Sequence, residues 1–330
     1  MAKTIRVLAL LLGGQLLAAL GLSFTASDLA ARPAAAPLLA LDSAKVDRLV
    51  LTGSDGDSIT LAKTSDGWRL SDQSGFPADG AKVDGLLARL TTLKHGPAVA
   101  TSSAARPRFK VDDSSFERRI ELAAGEQTLA TLYLGTSPAL RQTHARRAGD
   151  DAIYAVELAS HDAPVTAEDW QDKGVLQFPA TEVTAIRLPD LTLQRVPQQV
   201  DGNAGEALTT LIWQATPEQP LDQAAADTLT GKLANLRIGS VLGREAKAEY
   251  RLDQPLLTLT VERQDTEARE YRLAKLADES GYVLKVSNRP EYFRLPSYTG
   301  DGLVEATARE GLRAKPSEEA DTDQPAGQPS

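Results

Sequence analysis

Two stretches of the chain decide its reading: "PADGAKVDGLLARLTTLK" from Pro77 and "PLDQAAADTLTGKLANLR" from Pro220. At an offset of 143 they align without a gap and match at seven of eighteen positions, among them Asp79 with Asp222, Asp84 with Asp227, Leu86 with Leu229 and Leu90 with Leu233. Val83, Leu86, Leu90 and Leu93, then Ala226, Leu229, Leu233 and Leu236, fall three and four apart, which is one apolar stripe on a helix. Asp79 and Asp222 stand where an N-cap carboxylate accepts the free N–H groups of a first turn.

The flanks carry the repeat further. Ahead of the helices lie "VDRLVL", "ITLAKT" and "GWRL" in the first copy and "VTAIRL", "LTLQRV" and "LIWQA" in the second, with Trp68 and Trp213 at matching places. Behind them come "RFKVDD" and "EYRLDQ", further alternating runs, and finally "AIYAVEL" and "EYFRLP", where Tyr154 meets Phe293. Apolar–polar alternation has the period of a strand. The expectation is an α+β fold of two tandem repeats, residues 43–178 and 179–313, each an antiparallel sheet packed on one long amphipathic helix. A parallel doubly wound fold would need a helix between most strands.

The ends differ in composition. Val7–Phe24, "VLALLLGGQLLAALGLSF", holds no charge and follows Lys3 and Arg6. Eighteen helical residues span about 27 Å, close to a bilayer core of about 30 Å, and the preceding cations keep the N-terminus inside. Residues 1–24 are therefore expected to be an N-terminal transmembrane helix, with a cleaved signal segment as the alternative. The bulk of the chain is then exported across the cytoplasmic membrane, as a single-pass protein facing the periplasm or exterior. Residues 25–42, rich in Ala and Pro, read as a linker. Residues 314–330, with Glu318, Glu319, Asp321 and Asp323 and almost no apolar content, read as a disordered acidic tail.

A formal net charge of -9 argues against nucleic-acid binding, which needs clustered cations. The absence of cysteine excludes disulfides, thiolate metal sites and Cys nucleophiles. No phosphate loop, H-E-x-x-H pair or nucleophile elbow occurs, and His95, His144 and His161 show no ligand spacing. "SDGDS" from Ser54 has acids two apart but lacks the remaining calcium ligands, so it reads as a hairpin turn. The expectation is a protein without catalytic residues, cofactor or metal. One basic cluster, Arg141, His144, Arg146 and Arg147, has the donors to hold an anion. On a strand it divides between two faces, and cations on an edge strand also discourage sheet-to-sheet pairing.

Taken together, the N-terminal apolar segment, the D-G-W strand, the Pro77 helix, "FKVDD", "LYLG" and "IYAVEL" resemble the bacterial domain-of-unknown-function family forty-three forty, over about Val46 to Arg294. The second copy departs from the pattern, with Ile212-Trp213 in place of Gly67-Trp68 and "LAKL" in place of "LYLG". The resemblance implies a membrane-anchored extracytoplasmic protein, often encoded near ABC-transporter components like those of gliding motility, and no catalytic signature. The function expected is a non-enzymatic accessory or interaction component of an envelope complex. The alternative is a module that binds a glycan, lipid or other anionic envelope ligand.

Overall fold

A computed structural model describes residues 12–15, 36–201, 207–277 and 280–314 of the chain. It divides into two compact units, the boundary falling between Trp170 and Gln171. The first unit is a ten-stranded sheet of β1 (Ala36–Pro37), β2 (Arg48–Gly53), β3 (Ser58–Thr64), β4 (Gly67–Leu70), β5 (Phe76–Pro77), β6 (Lys94–His95), β7 (Arg118–Ala124), β8 (Gln127–Leu134), β9 (Thr143–Arg147) and β10 (Tyr154–Val156). Their spatial order is β1-β6-β10-β9-β8-β7-β2-β3-β4-β5, antiparallel at every pairing. Its main helix, α1, runs Gly80–Thr92.

The second unit has β11 (Val183–Leu188), β12 (Leu191–Asp201), β13 (Ala207–Thr216), β14 (Ser240–Gly243), β15 (Leu257–Arg263), β16 (Arg269–Lys275), β17 (Tyr282–Val286) and β18 (Tyr292–Leu295). These form one antiparallel sheet in the order β13-β12-β11-β15-β16-β17-β18-β14. Helices α2 (Gln223–Ala234) and α3 (Ser297–Ala306) accompany it.

The architecture corrects the α+β class expected from the sequence: the described residues are mostly β, two large antiparallel sheets with few and short helices. The reason is one of size. The 13 residues of α1 extend about 20 Å, whereas ten strands set about 4.8 Å apart form a sheet about 43 Å across. A helix of that length covers only part of such a sheet, and irregular chain covers much of the rest. Leu38, Leu158 and Ala163 lie in such segments, Trp170 ends a single 3-10 turn, and all four are buried to 1% exposure or less. No helix among the described residues is long and apolar enough to cross a membrane. The anchor expected over residues 7–24 lies outside the described residues apart from 12–15, as do most of the expected linker and all but the first residue of the expected tail.

Period-two alternation builds both cores. Leu49 and Leu51, Ile59 and Leu61, Ile120 and Leu122, Leu132 and Leu134 line one face of the first sheet and are essentially inaccessible. Val83, Leu86, Leu90 and Leu93 of α1 and its end are buried, and so are Ala226, Leu229, Leu233 and Leu236 in the second unit. Asp79 accepts the Lys82 N–H at 3.0 Å and Asp222 accepts that of Ala225 at 3.0 Å. One turn on, the Trp68 indole donates to Asp84 Oδ1 at 2.9 Å and Trp213 donates to Asp227 Oδ1 at 2.9 Å. In each unit the same two carboxylates thus cap the helix and bind the indole that lies ahead of it in sequence. Asp84 and Asp227 satisfy indole donors that burial would otherwise leave unpaired, and Asp79 and Asp222 take up a free N–H of the first turn.

Candidate functional site

The basic cluster does not act as one group. Arg146, near the end of β9, has no solvent exposure. Its Nε donates to the Val111 carbonyl at 2.6 Å, its Nη1 to the carbonyls of Arg147 and Asp150 at 3.2 and 3.1 Å, and its Nη2 to Asp113. The guanidinium also lies 4.6 Å from the Tyr133 ring. All three guanidinium nitrogens are engaged by protein acceptors, so this is a clamp between a strand and two loops. The second unit repeats it at an offset of 139: Lys285 donates to the carbonyls of Arg289 and Pro290 at 2.6 and 2.8 Å and sits 4.6 Å from the Tyr292 ring. Burial pushes the Lys285 ammonium below its ordinary range, with Glu291 opposing the shift.

His144 is buried as well, its Nδ1 at 2.9 Å from Thr136 Oγ1 and its ring edge-on to Phe109 at 4.6 Å. Arg147 is half-exposed and donates to Asp150 Oδ2 at 2.8 Å. That bond and the Ala152 N–H hold the Asp150 carboxyl below the usual carboxylate range. Arg141 stands apart from all three. It precedes β9 in a left-handed turn, φ 60°, is exposed, and its side chain makes no hydrogen bond or ion pair with any described residue.

Arg141 faces a groove of about 610 Å³ that it lines with Arg89, Gln142, Glu157, His161 and Asp162. Through Arg89, Gln142 and Glu157 the groove continues into a second hollow of about 600 Å³, where Lys94 and His95 are found. Arg89, on the last turn of α1, donates to Asp162 Oδ2 at 2.7 Å. Burial raises the Asp162 carboxyl, but the Arg89 bond and the Ala159 N–H at 2.8 Å outweigh it and leave the group below its ordinary range. His161, 83% exposed, lies 3.9 Å from the same carboxylate. His95 bonds the Gly96 carbonyl at 2.8 Å through Nδ1 and packs on Tyr154. Arg89 is thus paired with Asp162, while the side chains of Arg141 and Lys94 make no hydrogen bond or ion pair with any described residue.

The site is polar, open and cationic on balance within a strongly acidic chain. Its chemistry is that of holding a carboxylate, sulfate or phosphate. Sequence reasoning found Arg141 but not Arg89, Lys94 or His161, which are contributed by α1, β6 and the turn after β10 with no fixed spacing to announce them. No group of three or more His, Asp or Glu residues able to hold a metal occurs among the described residues. The "SDGDS" stretch links β2 to β3 as a turn, with Gly53 N–H bonded to the Asp57 carbonyl at 2.8 Å and Gly56 at φ 87°.

Neither a curated protein nor a solved structure shows a significant match to the chain. A family model does, over residues 68–255, more than half of the sequence, beginning at the Trp68 that binds Asp84 and ending just ahead of β15. The chain belongs to the family described as Domain of unknown function (DUF4340).

Proposed function

We propose that the protein works by binding and not by turnover, as a membrane-anchored extracytoplasmic component of an envelope complex of the ABC-transporter kind. The observation that supports this best is the rim of the groove. Leu140 is 91% exposed, on a turn closed by the Gln142 N–H to the Ala139 carbonyl at 3.1 Å, and next to it stands the unpaired Arg141. A large apolar side chain held in water beside a free guanidinium has the makeup of a contact site, since interfaces combine an apolar centre with Arg. Anchoring through Val7–Phe24 would keep that site at high local concentration near a membrane partner.

The test is purification of the tagged full-length protein from detergent-solubilised membranes. Transporter subunits are expected with the wild type and at least tenfold less with the double variant Leu140→Asp, Arg141→Glu. Recovery of no transporter subunit with the wild type overturns the reading.

A second reading, an envelope module for a glycan, lipid or other anionic component, is favoured by Arg141 and Lys94, which line two adjoining hollows that share Arg89, Gln142 and Glu157. Titration with inorganic phosphate and with vesicles containing anionic phospholipid separates a free anion from a headgroup. Arg141→Glu is expected to abolish whichever of the two binds.

A further inference from the structure

The hairpin of β12 and β13 is built unlike its counterpart in the first unit. In β3–β4 the ladder ends one pair beyond Lys63↔Trp68, at Thr64↔Gly67. In β12–β13 the equivalent pair, Arg195↔Trp213, is followed by six more, from Val196↔Ile212 to Asp201↔Ala207. Since β11 pairs only with Leu191–Gln194, the outer half of the hairpin is a two-stranded arm. Pro197, Gln198, Gln199, Thr209, Thr210 and Leu211 are all exposed along it, Leu211 to 59%. Such a ribbon is marginal alone in water.

The two edges of the arm are not equivalent. The Trp213 N–H donates to Gln223 Oε1 at 2.8 Å and the Gln223 amide donates to the Trp213 carbonyl at 2.8 Å. The Trp213 main chain therefore points away from β12, and one side chain of α2 satisfies both its groups. Direction alternates along an antiparallel strand, so Leu211 and Thr209 also present N–H and C=O outward, past the reach of that cap. On β12 the same parity, through the Arg195↔Trp213 pair, turns Pro197 outward. Pro197 has no N–H to offer, which blocks that edge. The β13 edge has no such guard: its ten residues, "ALTTLIWQAT", include no charge and no proline, and its register with β12 runs without a shift.

We propose that the outer edge of β13 is where a second copy of this chain pairs, strand against strand. Antiparallel about a twofold axis at Thr209, the strand is complementary to itself: Thr209 meets Thr209 of the second copy and Ala207 meets Leu211, giving about six backbone hydrogen bonds. Although each copy carries net charge -9, the strand itself carries none, so no like charges face each other across the pair. One usable edge per arm closes the assembly as a dimer instead of extending it into a fibre. This interface is independent of the groove in the first unit.

The sequence has no cysteine, so Thr209→Cys places a single thiol at the axis. The facing Cα atoms of such a pair are about 5.5 Å apart, within disulfide reach. Mild oxidation of the full-length variant in detergent is expected to yield mostly covalent dimer, and Gln199→Cys, on the blocked edge, to yield none. Thr209→Pro deletes the outward N–H without removing a ladder bond; it is expected to weaken the dimer at least tenfold in sedimentation while leaving the circular dichroism unchanged. A wild type that sediments as a monomer up to about 100 μM, a Thr209→Cys chain that does not cross-link, or a dimer indifferent to Thr209→Pro overturns the proposal.

Discussion

At the scale of single residues, the same chemical letters serve opposite ends. Arg141 and Arg146 sit five positions apart, yet one is a free surface cation and the other is fully enclosed by three carbonyls, Asp113 and the Tyr133 ring. Replacing Arg146 leaves buried acceptors without a donor, a loss of about 1–3 kcal/mol for each group that water cannot reach. Arg146→Met is therefore expected to destabilise the first unit by about 2–4 kcal/mol in urea unfolding. Arg141→Met should shift the midpoint by no more than surface substitutions do, about 0.5 kcal/mol. Equal losses from the two variants would refute the division of the cluster made above. Nothing in the spacing of the cluster distinguishes them, because the carbonyls that claim Arg146 come from Val111 and Asp150, one far upstream and the other in the following turn.

At the scale of elements, the helices show where local propensity and tertiary contact conflict. A Cβ added at Gly85 in α1 or Gly231 in α2 would meet nothing within 4 Å. Gly85→Ala and Gly231→Ala are each expected to stabilise by about 0.5–1 kcal/mol through helix propensity and unfolded-chain entropy. Gly300 in α3 behaves oppositely, since a Cβ there would stand 2.1 Å from the Tyr282 ring. Gly300→Ala is expected to cost about 1–3 kcal/mol from overpacking and, by displacing α3, to disturb the bond from the Tyr282 hydroxyl to Asp301 Oδ1 at 2.5 Å. Thermal unfolding of the three variants checks the signs, and stabilisation by Gly300→Ala would show that α3 does not rest on Tyr282. The caps were legible from sequence because Asp79 and Asp222 act within their own first turns. The Tyr282 contact was not, because it joins β17 to a helix whose sequence says nothing of its neighbour.

At the scale of the whole molecule, titration sets an acid and an alkaline limit on stability. In the first unit Asp112, Asp150 and Asp162 have carboxyl groups held below their ordinary range, by the Ser114 bonds, by the Arg147 bond, and by Arg89 and Ala159 against the effect of burial. A depressed folded value makes a stabilising contribution that is complete above the unfolded value of about 3.9 and is lost as pH falls through the lower folded one. In the second unit burial raises the phenols of Tyr250 and Tyr271, and the Asp301 bond with burial raises Tyr282. A raised folded value works the other way: its contribution is present below about 10 and is lost as pH climbs through the folded value. Stability measured against pH should form a plateau between these limits, and Asp301→Asn should soften its alkaline edge. An alkaline edge unchanged by Asp301→Asn would remove Tyr282 from the account.

The sequence by itself determined what depends on near neighbours and on period. Strand alternation, the stripes from Val83 to Leu93 and from Ala226 to Leu236, the two caps and the paired tryptophans can all be read because each repeats at a fixed spacing. Only the tertiary structure decided how much of the molecule is sheet, since strand number and width come from long-range pairing that no local pattern encodes, and a helix of three turns cannot cover ten strands. It also decided the groove, which α1, β6 and the turns around β9 and β10 assemble from Arg89 and Lys94 on one side and Arg141 and His161 on the other, stretches far apart in sequence and joined only when the chain closes.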